Sequence, residues 1–358
     1  MKNIMLCGRY RPWATMVYIE NALHQIQGVE CTYAGSGWGK RPGYKGDVDI
    51  RQLIAEGVPR PDLVLLIDPG GEYFPRGLES LDCPTALYLV DVHIDLQRSL
   101  EYAQFFDYIF VAQKDYLGSF SIKNSNTYWL PLACDPEFHQ SISTGKRYDI
   151  GFIGQVHSPE RKSRLEQLSK RYVMNDYHQF YPKEKIGPLF AESKIVFNNS
   201  LDFDVNMRVF EALASGSMLL TNRLTNGFSD LFESGKHLVA FDSDDEMMAL
   251  AEYYLTHDQE RERIAHAGQQ LVLDQHTYRK RCETIIHTVY SKNTARCAPI
   301  RTMSRKDTLA AYTKVYLRHR MIDPLLSLLE ESRGCGVQRL PTLLDCGEVF
   351  LRRLYRSF

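Results

Sequence analysis

The sequence predicts an α/β protein made of two parallel-sheet units and a helical C-terminal extension. Three observations carry that expectation. Strand and helix signals alternate through the first 140 residues, the alternation stops at a polar stretch and restarts at Tyr148, and strand signals end before Arg305. The expected boundaries are 1–140, 147–292 and 293–358.

In the first unit the strand candidates are 2–7 (KNIMLC), 29–34 (VECTYA), 62–68 (DLVLLID), 85–91 (TALYLVD), 107–113 (DYIFVAQ) and 126–132 (NTYWLPL). All are rich in branched or aromatic residues, and Ala14–Gln27 and Asp95–Phe105 read as helices between them. Such alternation implies right-handed crossovers and a parallel sheet, with function in the loops after Cys7, Asp68 and Asp91. Phe138–Tyr148 reads as a polar linker. The second series begins with YDIGFIG at 148–154, a helix from Pro159, a short strand near Tyr172 and KIVFN at 194–198. A helix–strand pair at 204–221, KHLVAF at 236–241 and helices at 243–256, 258–274 and 277–290 follow. From Arg305 onward the pattern is helical.

Composition sets the class. At 358 residues, 44% hydrophobic and 24% charged, the chain can bury two cores of ordinary size. A net charge of −1 argues against nucleic acid as a partner. The balance is uneven, with 12 Lys/Arg against 6 Asp/Glu from Thr294 onward. That basic tail can rest on an anionic membrane surface or pack back on the first unit. No secretory signal or membrane span is expected, and eight scattered cysteines without a C-x-x-C pair suggest reduced thiols. The expected location is cytoplasmic.

The most informative stretch is DFDVNMRVFEALASGSMLLT, 202–221. Asp204 reads as the helix N-cap, Val205, Val209, Ala212 and Leu213 as an apolar stripe, and Gly216 as the C-terminal stop. Asp204, Arg208, Glu211 and Ser215 then share the opposite face. A carboxylate there can accept two ribose hydroxyls and a guanidinium can meet a diphosphate, while Arg208–Glu211 also reads as a surface ion pair. Asn198, Asn199 and Asn206 can bond sugar hydroxyls or cap turns.

FEALASG followed by an apolar strand resembles the donor-binding segment of glycosyltransferases with two facing Rossmann-like domains, the GT-B architecture. The longer string NMRVFEALASG, LLTN, NGFSDLF, YYL and HTYRKR is similar to the CgeB-like subgroup, related to the group 1 glycosyl transferases, over about Pro84 to Val289. The resemblance implies hexosyl or N-acetylhexosaminyl transfer from a nucleotide diphosphate sugar, with UDP the commonest nucleotide among similar enzymes. It implies Glu211 at the ribose, and Gly154 and Arg161 beside the phosphates; the helix face itself adds Arg208 as a diphosphate contact, and Asn206 as a candidate for the sugar hydroxyls. Arg161 falls in the first turn of a helix, where a basic residue suits a bound anion better than it suits the helix dipole. Many retaining relatives carry a second acid eight residues before the ribose Glu, but Phe203 stands there, between Asp202 and Asp204.

Asp91 and His93 lie where a buried strand gives way to a loop and can serve as the base for an acceptor hydroxyl. They also read as a turn cap and as an acceptor-binding or structural group. DSDDE at 242–246 reads as a helix start in preference to a metal site, and no metal or cofactor beyond the donor is expected. GSGWGK at 35–40 lacks phosphate-loop spacing and reads as a flexible loop. The acceptor is a glycan, a protein or a small molecule. A nucleotide-sugar epimerase of the same architecture and a non-catalytic sugar-nucleotide binder are the alternatives.

Overall fold

The computed structural model describes residues 1–334 other than 13, 36, 38–42, 45–48, 69, 71–72, 141–144 and 292–294. Most of the Gly35–Lys40 loop, and the basic segment near the C-terminus, lie outside those residues. The chain forms two compact units, one of residues 1–111, 116–129 and the chain from Thr288 on, the other of 112–115 and 130–287.

The first unit is a parallel sheet of β1 (Lys2–Cys7), β2 (Val29–Ala34), β3 (Gly43–Tyr44), β4 (Leu63–Ile67), β5 (Thr85–Leu89), β6 (Tyr108–Val111) and β7 (Thr127–Trp129). Their order, β3-β2-β1-β4-β5-β6-β7, reverses between β1 and β4, the doubly wound pattern. Helices α1 (Thr15–His24), α2 (Ile50–Ala55), α3 (Leu96–Ala103) and α4 (Leu117–Ser121) lie between strands. β4 and β5 are buried at every position, as expected of central strands covered on both faces.

The second unit opens with α5 (Pro136–His139), then β8 (Tyr148–Gly151), α6 (Pro159–Ser169), α7 (Lys183–Ala191) and β9 (Ser193–Asn198). It continues with α8 (Met207–Ala214), β10 (Met218–Asn222), α9 (Phe228–Leu231), β11 (Val239–Phe241), α10 (Asp244–Thr256) and α11 (Asp258–Gln275). Its strands are parallel in the order β11-β10-β9-β8, so each crossover advances the sheet by one strand. The strand expected near Tyr172 does not form, and Met174 makes only an isolated bridge to Ile150. Instead the Asn175 side chain takes both peptide groups of Phe152, at 2.8 Å each, leaving little ladder for a strand to use.

After α12 (Tyr278–Ser291) come α13 (Arg305–Arg318) and α14 (Ile322–Gly334). Ile300, Leu309, Tyr312, Val315 and Tyr316 join one apolar core with Met5, Leu66, Leu87 and Val111, so these helices pack on the first sheet. Arg301 fastens the connection, donating from Nε and Nη2 to the two carboxylate oxygens of fully buried Asp107 at 2.8 and 2.7 Å.

Candidate functional site

In the second unit, the carboxyl ends of β8 and β9 and the start of α8 bring one group of polar side chains together. α8 is short, and Gly216, at φ 81°, ends it in the left-handed conformation that glycine supplies. Its N-cap is Asn206, with no side-chain cap bond, and not Asp204. The Asp204 carboxylate is buried and accepts from the side chains of Gln113 and Asn226 at 3.5 and 3.3 Å. The Asn206 side chain donates to Ser200 Oγ at 2.9 Å, linking α8 to the end of β9.

The face of α8 opposite the apolar stripe is also covered: Glu211 and Ser215 are buried and Arg208 is half-buried. Other elements therefore enclose the polar residues. The Arg208 guanidinium lies on the backbone of Gly154, where a Cβ would stand 2.7 Å from both of its terminal nitrogens, and its Cζ is 5.2 Å from the Phe152 ring centroid. Gly154 thus admits a cation that any other residue would push away.

Arg161 is buried one turn into α6, which Ser158 caps. It donates to the carbonyls of Asn199 at 2.9 and 2.6 Å and of Gln155 at 2.7 Å. These bonds hold the loops after β8 and β9 in register. Burial pushes the Arg161 guanidinium down to about 10, with the charge of Arg208 adding to the effect. Arg208 is lowered as well, chiefly by desolvation, with Glu211 opposing. Two neighbouring guanidiniums held this way favour an anion beside them.

Glu211, 4% exposed, has its carboxyl pushed up to about 7 by burial, against the pull of Arg208. Its Oε1 and the Nε of Arg208 have no hydrogen-bond partner among the described residues. Oε1 lies 3.5 Å from Nε2 of His139, a fully buried residue on α5. His139 was not singled out in the sequence, where it sits inside the expected linker. The local signal was present: Asp135 followed by Pro136 is a helix start, and Asp135 does cap α5.

Asp91 and His93 lie in the first unit, in the turn after β5. Asp91 is exposed and its N–H donates to the carboxylate of Asp68, after β4, at 3.3 Å. His93 is half-buried and its Nδ1 has no hydrogen-bond partner among the described residues. Asp95, and not Asp91, caps α3. In 242–246, Ser243 caps α10, Asp242 pairs with Arg223 at 2.6 Å and Asp244 with Arg164 at 2.7 Å. In the HTYRKR string, Arg281 donates to the carbonyls of Pro131, Leu132 and Gln275 at 2.7, 3.1 and 3.1 Å.

Comparison with known proteins bears on both units. Residues 137–287 match the family model described as glycosyl transferase-like. No curated protein sequence matches the chain. Among solved structures, Anabaena HepE in complex with UDP and glucose superposes with a TM-score of 0.58 at 12% identity, over 81% of this chain and 100% of that one. Sucrose-phosphate synthase from Thermosynechococcus elongatus gives 0.58 at 9%, over 80% and 98%. T4 phage BGT in complex with its UDP-glucose substrate gives 0.56 at 10%, over 80% and 99%. The fold is that of the GT-B class, two Rossmann-like units in one chain, with a glycosyl transferase-like segment across most of the second unit.

Proposed function

We propose that the protein is a glycosyltransferase whose second unit binds a nucleoside diphosphate sugar, UDP-linked, and that it moves a hexosyl or N-acetylhexosaminyl group to an acceptor hydroxyl. The observation that carries this reading is the arrangement of Gly154, Arg208 and Arg161 around one end of α8, with Glu211 one turn along. Arg208 faces the diphosphate and Arg161 stands behind it, holding both loops and adding positive potential. Glu211 accepts the ribose hydroxyls, and Asn206 sets the start of the helix. The UDP and UDP-glucose carried by HepE and T4 BGT, and the glycosyl transferase-like match, support the same assignment. The narrower CgeB-like resemblance and a cytoplasmic location belong to this proposal as well.

In the transfer, the bond from the anomeric carbon to the diphosphate oxygen breaks and the acceptor oxygen forms a new bond to that carbon. The leaving diphosphate keeps the electron pair, and Arg208 stabilises its charge. The acceptor proton goes to a base, for which we propose Asp91 or His93. Replacing either with Ala should slow turnover by roughly 10²–10⁴-fold while leaving nucleotide affinity near wild type.

Calorimetry with UDP and uridine tests the donor site. Arg208→Gln should weaken UDP by at least about tenfold and hardly change uridine, because only UDP carries the phosphates. Glu211→Gln should weaken both. Wild-type UDP affinity in both variants would overturn the assignment.

A further inference from the structure

We propose that His139 is a positioning residue for the Glu211 carboxylate, presenting an Nε2–H that orients Glu211 and favours its ionised, ribose-accepting form. The inference rests on Glu211 being the ribose ligand. It follows from three observations in the second unit.

The first fixes the tautomer. The backbone N–H of Asp135 donates to His139 Nδ1 at 3.0 Å, so Nδ1 acts as the acceptor. A neutral imidazole accepting at Nδ1 carries its single proton on Nε2. The second is direction: Nε2 lies 3.5 Å from Glu211 Oε1, a few tenths of an ångström beyond ordinary hydrogen-bond length.

The third is rigidity. Cys134 N donates to His276 O and Tyr278 N to Cys134 O, both at 2.9 Å, so the chain entering α5 is pinned to the junction of α11 and α12. On the other side α5 rests on Gly187 of α7, where a Cβ would stand 2.4 Å from Phe138 O and 2.8 Å from His139 O. The backbone that carries the imidazole is thus held on two sides and the ring is bonded at Nδ1, which leaves its one proton on the Nε2 side, where Glu211 Oε1 lies.

The titratable and charged groups around the pair are Arg208 on α8, Cys134 and Asp135 ahead of α5, Lys183 of α7 over the Phe138 ring, and His276 and Arg281 from the α11–α12 junction. Burial pushes His139 and His276 down to about 3 and Cys134 up to about 12. Glu211, at about 7, therefore titrates closer to neutral pH than His139, His276 or Cys134. Ribose binding should strengthen as pH rises through its midpoint. Loss of the Nε2–H donor should move that midpoint upward.

Uridine is the probe, because it presents the ribose without a titrating phosphate. Its affinity should rise about tenfold from pH 6 to pH 8 in the wild type, the change that one carboxyl near about 7 gives. His139→Phe keeps a buried ring without a donor, and should move the midpoint up by about one unit. His139→Gln, which restores an N–H near the Nε2 position, should bring it back. Equal midpoints in wild type and His139→Phe would overturn the proposal. Should His139→Phe not fold, His139→Gln decides alone: a midpoint at the wild-type value supports the proposal, and one displaced by a unit overturns it. Glu211→Gln separates the two levels. Loss of uridine affinity and of its pH dependence there, with unmoved His139 midpoints, removes only the positioning role. Wild-type uridine affinity in Glu211→Gln removes the ribose assignment itself.

Discussion

Glu211→Gln should make the unliganded protein more stable while weakening its ligand. The Glu211 carboxyl is raised from 4.5 to about 7, so between those values the folded state keeps a proton that the unfolded chain has released. Stability therefore falls as pH rises through that window, then levels off. At about 1.36 kcal/mol per unit, the ionised side chain costs about 3 kcal/mol above pH 7. Glutamine occupies nearly the same volume without ionising, and burying its amide costs about 1 kcal/mol. The variant should gain about 2 kcal/mol over wild type at pH 8 and about nothing at pH 5. The three tryptophans, Trp13, Trp38 and Trp129, all lie outside residues 130–287, so none supplies a probe within that stretch. Hydrogen exchange at the buried amides of β9 and β10 does. A variant whose protection relative to wild type is the same at pH 5 and pH 8 would refute the reasoning, because the buried carboxylate would then cost nothing to ionise.

Gly154→Ala places a methyl group against the Arg208 guanidinium, which can swing away, so UDP affinity should fall at least tenfold with a smaller loss for uridine. Titration with the two ligands checks this, and equal losses would count against the phosphate role of Arg208. Acid should loosen the second unit through His139 and His276, both lowered from 6.5 to about 3. The unfolded chain takes up protons that the folded one refuses, so their stabilisation is present above pH 6.5 and is lost as pH falls towards 3. Together they give a slope of up to about 2.7 kcal/mol per pH unit, halved between 6.5 and 4.5 by the opposite slope of Glu211. Exchange protection that stays flat from pH 6.5 to pH 4 would show the histidines are not held neutral. Sugar transfer should survive chelation of divalent ions, since Asp242 and Asp244 are already paired with Arg223 and Arg164. Activity lost in EDTA and restored by Mn²⁺ would sink that expectation.

The sheet was legible in the sequence because its signal is local. β1 and β2 match their expected bounds, Lys2–Cys7 and Val29–Ala34, where branched and apolar residues fill a strand-length run. The missed helices lack such a signal. α7 contains Pro188, which breaks the expected pattern although the helix continues to Ala191, and α2 has only six residues behind its Asp49 cap. Asp204 looked like a helix cap because Asp is good at that task. Its actual partners, Gln113 and Asn226, are 91 and 22 residues away, beyond the reach of any local pattern.

The same distinction explains what could be read of the site. A period of 3.6 residues tells which side chains share a face, and it placed Arg208 and Glu211 together correctly. It does not tell what covers that face. The polar side of α8 was expected to be open, yet Glu211 is almost completely enclosed, because α5 and α7 pack on the helix that carries it. That enclosure changes the chemistry of the residue. An exposed glutamate would ionise near 4.5 and be indifferent to physiological pH. The buried one changes protonation near 7, faces a histidine held neutral and stands one turn from a guanidinium. The carboxylate visible in the sequence and the environment that tunes it come from segments 72 residues apart. Only folding brings the second to the first, so the identity of the ribose candidate could be read from one helix while its pH response could not.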